Sequence, residues 1–204
     1  MTRIGEEPEG ATPLDPSDQE ELIPTWIATR EDLNVAEQEN VASAMVWALG
    51  RKWLIDDMDQ GLLKELHRRM FCDVWRWAGS YRKSDTNIGA SWPEIPASVE
   101  NLVRDLKEQT AGPSLAWPAD EVAIRFHHRL ASIHPFPNGN GRHARLAADL
   151  VVVALGGSRF GWGAGSQLSG RGPGRDEYLR ALRTADATGD HSALLAFARD
   201  RSPG

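Results

Sequence analysis

Between His134 and Arg145 the chain reads HPFPNGNGRHAR, and almost every residue type in that run bears on the handling of phosphate. Pro135 biases His134 away from the α region, so a helix arriving at Ile133 must end there. Pro137 stiffens the next step. Gly139 and Gly141 admit backbone conformations and close approaches that a side chain would block. A helix starting just beyond them leaves its first N–H groups without intrahelical partners. Those donors, with the positive end of the helix dipole, make an anion site. Arg142 and Arg145 lie three apart on its first turn, and each guanidinium can grip two oxygens of a polyphosphate. At the other rim, the His134 imidazole, with an ordinary pKa of about 6.5, can accept a proton at neutral pH. Base, cradle and arginine pair together predict phosphoryl or nucleotidyl transfer, driven by positioning and charge stabilisation. Taken singly, the same residues are a proline-stiffened turn and a helix cap; their combination points to chemistry.

The rest of the sequence limits what that chemistry serves. The 204 residues carry a net charge of −6, which argues against a general nucleic-acid binder but leaves a small nucleotide open. Arg125, Arg129, Arg142 and Arg145 bracket the loop, while much of the acid precedes residue 60. No apolar run reaches the roughly 18–20 residues of a membrane span. The acidic opening MTRIGEEPEG holds no apolar stretch that could serve as a secretory signal. The single cysteine, Cys72, suits a reducing compartment, so a cytoplasmic location is expected. His127 and His128 are adjacent and therefore face different sides of a helix, without zinc spacing. Trp47, Trp53, Trp75 and Trp77 read as packing, and Trp92 and Trp162 as candidate contacts for adenine or a target.

The elements that must position the loop are helices. Asp15-Pro16 opens a short one in the acidic arm. Thr29 and Asp32 form a capping box for a longer one, with Leu33, Ala36, Val41, Ala44 and Ala48 inward and Gly50 as its stop. Helical periodicity recurs over 59–71 and 98–110, and from Pro118 to Ile133. It continues from the loop to Gly156, then over 178–185 and 191–198. Between Ala78 and Trp92 the pattern breaks, and Tyr81, Thr86 and Ile88 suggest a short hairpin. The expected class is mainly α.

The run HPFPNGNGRHAR resembles the signature of the Fic (Fido) family, HxFx[D/E]GNGRxxR, matching every defined position but one. VWRWAGSYRKSDTNIG resembles the segment leading into that family's β-hairpin flap, and YLRALRTADATGDHSALLAFA resembles its closing helices. The opening arm resembles a bacterial group found with mobile elements. The resemblance implies a Fic-type helical bundle divided into an arm (1–28), a candidate inhibitory helix (29–50) and a Fic domain (51–200). It implies transfer of AMP from ATP to a protein hydroxyl, with His134 as base and Phe136 as anchor of the loop. Gly139, Asn140 and Gly141 would cradle the phosphates, and Arg142 and Arg145 would bind them. Glycine at 141, rather than lysine, goes with nucleotidyl transfer. Asn138 stands where the family has its metal-binding carboxylate. An amide oxygen coordinates Mg²⁺ more weakly than a carboxylate, so the metal would be held mostly by phosphates and water. The alternative is a non-catalytic or altered-donor nucleotide-binding module. A family inhibitory motif, [S/T]xxxE[G/N], is met at Glu39 and Asn40 but not at Val35. Glu39 is therefore expected to pair with Arg145, or else to sit on a solvated face. An unknown protein target would dock at the flap around Thr86–Ala90 by strand addition. Tyr81, Ser84 and Thr86 are candidate self-modification points, and restraint would come from an antitoxin or from self-inhibition.

Overall fold

The computed structural model describes residues 16–112, 114–163, 168 and 172–200. Its helices are α1 (Pro16–Gln19), α2 (Arg30–Leu49), α3 (Gln60–Phe71), α4 (Ile95–Thr110), α5 (Ala119–Ile133), α6 (Asn140–Ala154), α7 (Pro173–Thr188) and α8 (Ser192–Arg199). Asp15, the expected cap of α1, lies outside the described residues. The capping box of α2 forms as read: Thr29 Oγ1 accepts from the Asp32 N–H, and Asp32 returns a bond to the Thr29 N–H. Asp59 caps α3 in the same way through the Leu62 N–H. Helix α4 starts earlier than expected because Pro96 fits its first turn, and a 3₁₀ turn over Trp92–Glu94 feeds directly into it.

Helix α6 is the centre of the molecule. It buries His143, Ala144, Leu146, Ala147, Ala148, Leu150, Val151 and Val152, too many to lie on one face. Helix α5 packs along it most extensively, and the loop 134–139 joins the two at one end. Helix α3 packs on α6 as well, and α2 packs on α3. The inward stripe of α2 is Leu33, Glu37, Asn40, Ala44 and Ala48, so two polar residues face the interior. Helices α7 and α8 close the bundle through Tyr178, Ala181, Leu194 and Phe197. Arg199 on α8 pairs with Asp120 at the start of α5.

The expected hairpin between Ala78 and Trp92 does not form. Among the described residues no strand is present, and the single β-bridge joins Leu22 to Trp75 instead. The physical reason is Arg82, which is 3% exposed. Its guanidinium donates to the carbonyls of Ser84, Ala90 and His134, taking up acceptors around which a ladder would be built. Asp85 then accepts the Trp92 N–H, closing the segment as a side-chain-bonded loop.

Candidate active site

Two histidines and a phenylalanine fix the floor of the loop. Phe136 is fully buried, with its ring stacked on His67 at 3.7 Å and edge-on to His143 at 5.0 Å. His67 sits in the apolar stripe of α3 beside Leu63, Leu66 and Met70. Its Nδ1 accepts the Gly79 N–H at 3.0 Å, so its Nε2–H is the donor to the Asn138 carbonyl, also at 3.0 Å. One buried imidazole thereby ties the segment after α3 to the loop before α6. Burial holds the pKa of His67 well below its ordinary value and lowers that of His143 to about 4. His143 donates from Nε2 to the Leu63 carbonyl at 2.9 Å.

Asn140 closes the loop on itself. Its amide oxygen accepts the Phe136 N–H at 2.9 Å, and its amide nitrogen donates to the Phe136 carbonyl at 2.8 Å. The side chain expected to cradle phosphate is therefore buried and committed to the backbone, and only its main-chain N–H belongs to the helix end. Gly139 has φ +78° and abuts Phe71 so closely that a Cβ would fall 2.4 Å from the ring. Gly141 differs: a Cβ there would meet nothing nearer than Arg145 Nη1 at 3.6 Å. No side chain caps the N-terminus of α6. Its first N–H groups carry no side-chain cap bond, which is the condition an anion site at this helix start requires.

His134 is half-buried and occupies the left-handed region (φ 54°), where it ends α5. Its Nδ1 lies 3.2 Å from the Ala131 carbonyl, so Nδ1 carries the hydrogen and Nε2 the lone pair. Burial, together with the charge of Arg82, lowers its pKa to about 4, so the basic form predominates at neutral pH. Arg82 Nε donates to the His134 carbonyl at 2.8 Å. The Arg82 and Ala90 amides bond the Pro135 and Ile133 carbonyls. Residues 82–90 are thus clamped directly onto the backbone around His134.

The two arginines differ. Arg142 Nη1 pairs with Glu37 Oε2 at 2.7 Å and its guanidinium lies over Phe71. Arg145 faces the ring of Tyr178 at 5.4 Å, and no described carboxylate forms an ion pair with it. Tyr178 in turn shares a hydrogen bond with the buried His127 at 3.0 Å. Glu37 is 2% exposed and also accepts from Trp75 Nε1 at 2.8 Å. Glu39, the residue expected to reach Arg145, is exposed. It lies two positions from Glu37, on the outer side of a helix with 3.6 residues per turn. Asn40 does face inward, but it bonds Arg69 and Asp73 at the end of α3. Sequence reading missed Glu37, His67, Arg82 and Tyr178; a polar residue in an apolar stripe was the available signal for the first two.

Asn138 is half-buried and its Oδ1 accepts the adjacent Gly139 N–H. Among the described residues no group of three His, Cys, Asp or Glu is placed to hold a metal. Asn138 offers only a neutral amide oxygen already bonded to Gly139, so the residues present do not fit a resident Mg²⁺. Arg125 and Arg129, which flank the loop in sequence, pair with Glu121 and Asp105 away from it. Trp162 packs on His127 and Phe160 and donates to Asp149, while Trp92 is 44% exposed. His127 faces the core and His128 an outer cavity, the division expected from their adjacency.

A model of the Fic/DOC family matches residues 57–152, which include all of the loop and α6 as far as Val152. A Fido domain-containing protein of Dictyostelium discoideum is 32% identical over 110 residues, covering 53% of this chain and 71% of its own length. A probable protein adenylyltransferase of Sinorhizobium fredii is 35% identical over 92 residues, covering 42% of this chain and 48% of that protein. The chain spans only about a fifth of the adenylyltransferases of Nematostella vectensis and Caenorhabditis elegans that it matches. Among solved structures, the N-terminal Fic domain of an effector from Bartonella sp. AR 15-3 has a TM-score of 0.69 at 18% identity. That match covers 91% of this chain and 92% of the other. BepC of Bartonella tribocorum, solved with AMPPNP bound, has a TM-score of 0.63 at 19% identity, covering 91% and 97%. Motif, fold and matched span agree, and the chain belongs to the Fic/DOC family.

Proposed function

We propose that this chain is a protein adenylyltransferase that moves AMP from ATP to a side-chain hydroxyl of a protein target. The observation that carries this reading is His134, held neutral with Nδ1 on Ala131 and Nε2 bearing the lone pair, beside the uncapped start of α6. The nucleotide's polyphosphate would lie on the α6 N–H groups, Gly141 and the Arg145 guanidinium. The target hydroxyl oxygen attacks the α-phosphorus while its proton passes to His134 Nε2. The bond to pyrophosphate breaks as the new P–O bond forms, and Arg145 and the helix end stabilise the departing charge. Relatives named protein adenylyltransferases and the AMPPNP-bound BepC structure support ATP as donor. The target would dock on the exposed flap around Thr86–Ala90, where Ile88 is 43% exposed. For self-modification, Ser84 is better placed than Tyr81, whose hydroxyl bonds Gln60.

Asn138 favours a second reading, nucleotide binding without transfer, because its amide oxygen is occupied and carries no charge. One experiment separates the two. Purified protein is incubated with bacterial lysate and ATP labelled at either the α- or the γ-phosphate. Transfer of the α-label alone, lost in His134→Ala and increased in Asn138→Asp, supports the adenylyltransferase. Transfer of the γ-label, or no transfer even by Asn138→Asp, contradicts it.

A further inference from the structure

A cavity lies away from the phosphate loop, bounded by α4, α5 and the turn between α7 and α8. It has a volume of about 180 Å³, and none of its lining residues belongs to the segment 134–145. Its floor is apolar and well buried, made by Leu102, Leu106, Phe126 and Ala185, with the Trp117 ring on one side. Its polar lining is Gln109, Arg125, His128, Arg129 and His191, and contains no carboxylate.

Each arginine is oriented by an acid outside the cavity yet keeps donors. Arg125 bonds Glu121 through Nε and Nη2 and lies 4.4 Å from the Trp117 ring, leaving Nη1. Arg129 bonds Asp105 through Nη1, leaving Nε and Nη2. Arg125 and Arg129 are four apart on α5 and so project from one face. The opposite wall is stiffened by a chain of hydrogen bonds. Asp186 accepts from His128 Nε2 at 2.8 Å, and His128 Nδ1 accepts from His191 Nε2 at 3.1 Å.

We infer that this cavity binds a small aryl carboxylate, its ring on the Leu102–Leu106–Phe126 floor and its carboxylate on Arg125 and Arg129. Size selects one ring, since an apolar cavity of about 150 Å³ accommodates benzene. Charge selects the acid, because the spare donors are guanidinium N–H groups and no lining group repels an anion. The His128–His191 pair, its rings edge-on at 4.9 Å, adds a fixed aromatic edge. This site is independent of the nucleotide reading, and its test does not use nucleotide transfer.

The test is titration of the full chain with 3-phenylpropionate and, separately, its neutral amide, 3-phenylpropanamide. Binding is followed at the Trp117 indole N–H by NMR, with the resonance assigned through Trp117→Phe. The acid is expected to shift that resonance saturably and bind at least about tenfold more tightly than the amide. Arg129→Gln, whose side chain is 43% exposed and tolerates change, should weaken the acid by a similar factor. Arg145→Ala should leave it unchanged. Equal binding of acid and amide to the wild-type chain would overturn the inference. So would no shift at millimolar acid, or loss of binding in Arg145→Ala with Arg129→Gln unaffected.

Discussion

At the scale of single residues, the loop divides into positions that build it and positions that would face the proposed nucleotide. Gly139 builds it: its positive φ and the Phe71 ring against it forbid a side chain. Gly141 faces outward, with room for a Cβ. Gly139→Ala should therefore destabilise the fold by about 2 kcal/mol or more in urea unfolding. Gly141→Ala should leave stability within about 0.5 kcal/mol while weakening nucleotide binding, because a methyl group there crowds the phosphate path. Similar stability losses in both would remove this division. The glycine-bearing loop and the helix that starts beyond it were legible in the sequence because their backbone demands follow from residue type and spacing, and the burial of Phe136 was expected from the family resemblance. The roles of Asn140 and His67 were not. A side chain that folds back onto Phe136, or an imidazole joining two segments, depends on tertiary neighbours that spacing does not reveal.

At the scale of elements, α2 holds Arg142 through a buried carboxylate. The sequence correctly marked this helix, its Thr29 box and its Gly50 end, since caps are local. It pointed to Glu39 where the structure presents Glu37. A motif can register on either of two acids two residues apart, and only the direction of the stripe Leu33, Glu37, Asn40 and Ala44 decides between them. A nucleotide using Arg142 must compete with Glu37 or share the guanidinium with it. Glu37→Gln should lower stability by about 1–2 kcal/mol, since it leaves Arg142 and Trp75 imperfectly paired. It should also tighten ATP binding roughly fivefold by releasing positive charge. Calorimetric titration beside thermal unfolding reads both effects. Weaker ATP binding in Glu37→Gln would mean that Glu37 positions Arg142 rather than restraining it. The flap was misjudged for a related reason: Tyr81, Thr86 and Ile88 alternate like a strand, but the buried Arg82 organises them through its side chain.

Across the whole molecule, the site rests on buried neutral histidines, and this gives stability a pH dependence of known sign. His67, His127, His134 and His143 all have folded pKa values below the ordinary 6.5, with burial as the leading cause. The unfolded chain therefore binds more protons than the folded one between about pH 6.5 and 4, so stability falls as pH is lowered through that window. His143 alone, with its pKa lowered to about 4, accounts for about 3 kcal/mol over the full range. Urea unfolding at pH 7 and pH 5 should show a loss of several kcal/mol, smaller in His143→Leu. Equal stability at the two pH values would contradict the buried, neutral arrangement.

The central claim is that the loop and the start of α6 hold a nucleotide's phosphates beside His134. Arg145 tests it most directly, because it is on the expected phosphate path and no described carboxylate neutralises it. Calorimetric titration of the full chain with ATP should show that Arg145→Ala weakens binding by about tenfold or more, the loss of one charge-assisted contact. Arg125→Ala, a change of equal charge outside the loop, should leave the affinity unchanged. An affinity unaltered by Arg145→Ala, or lowered equally by Arg125→Ala, would contradict the account.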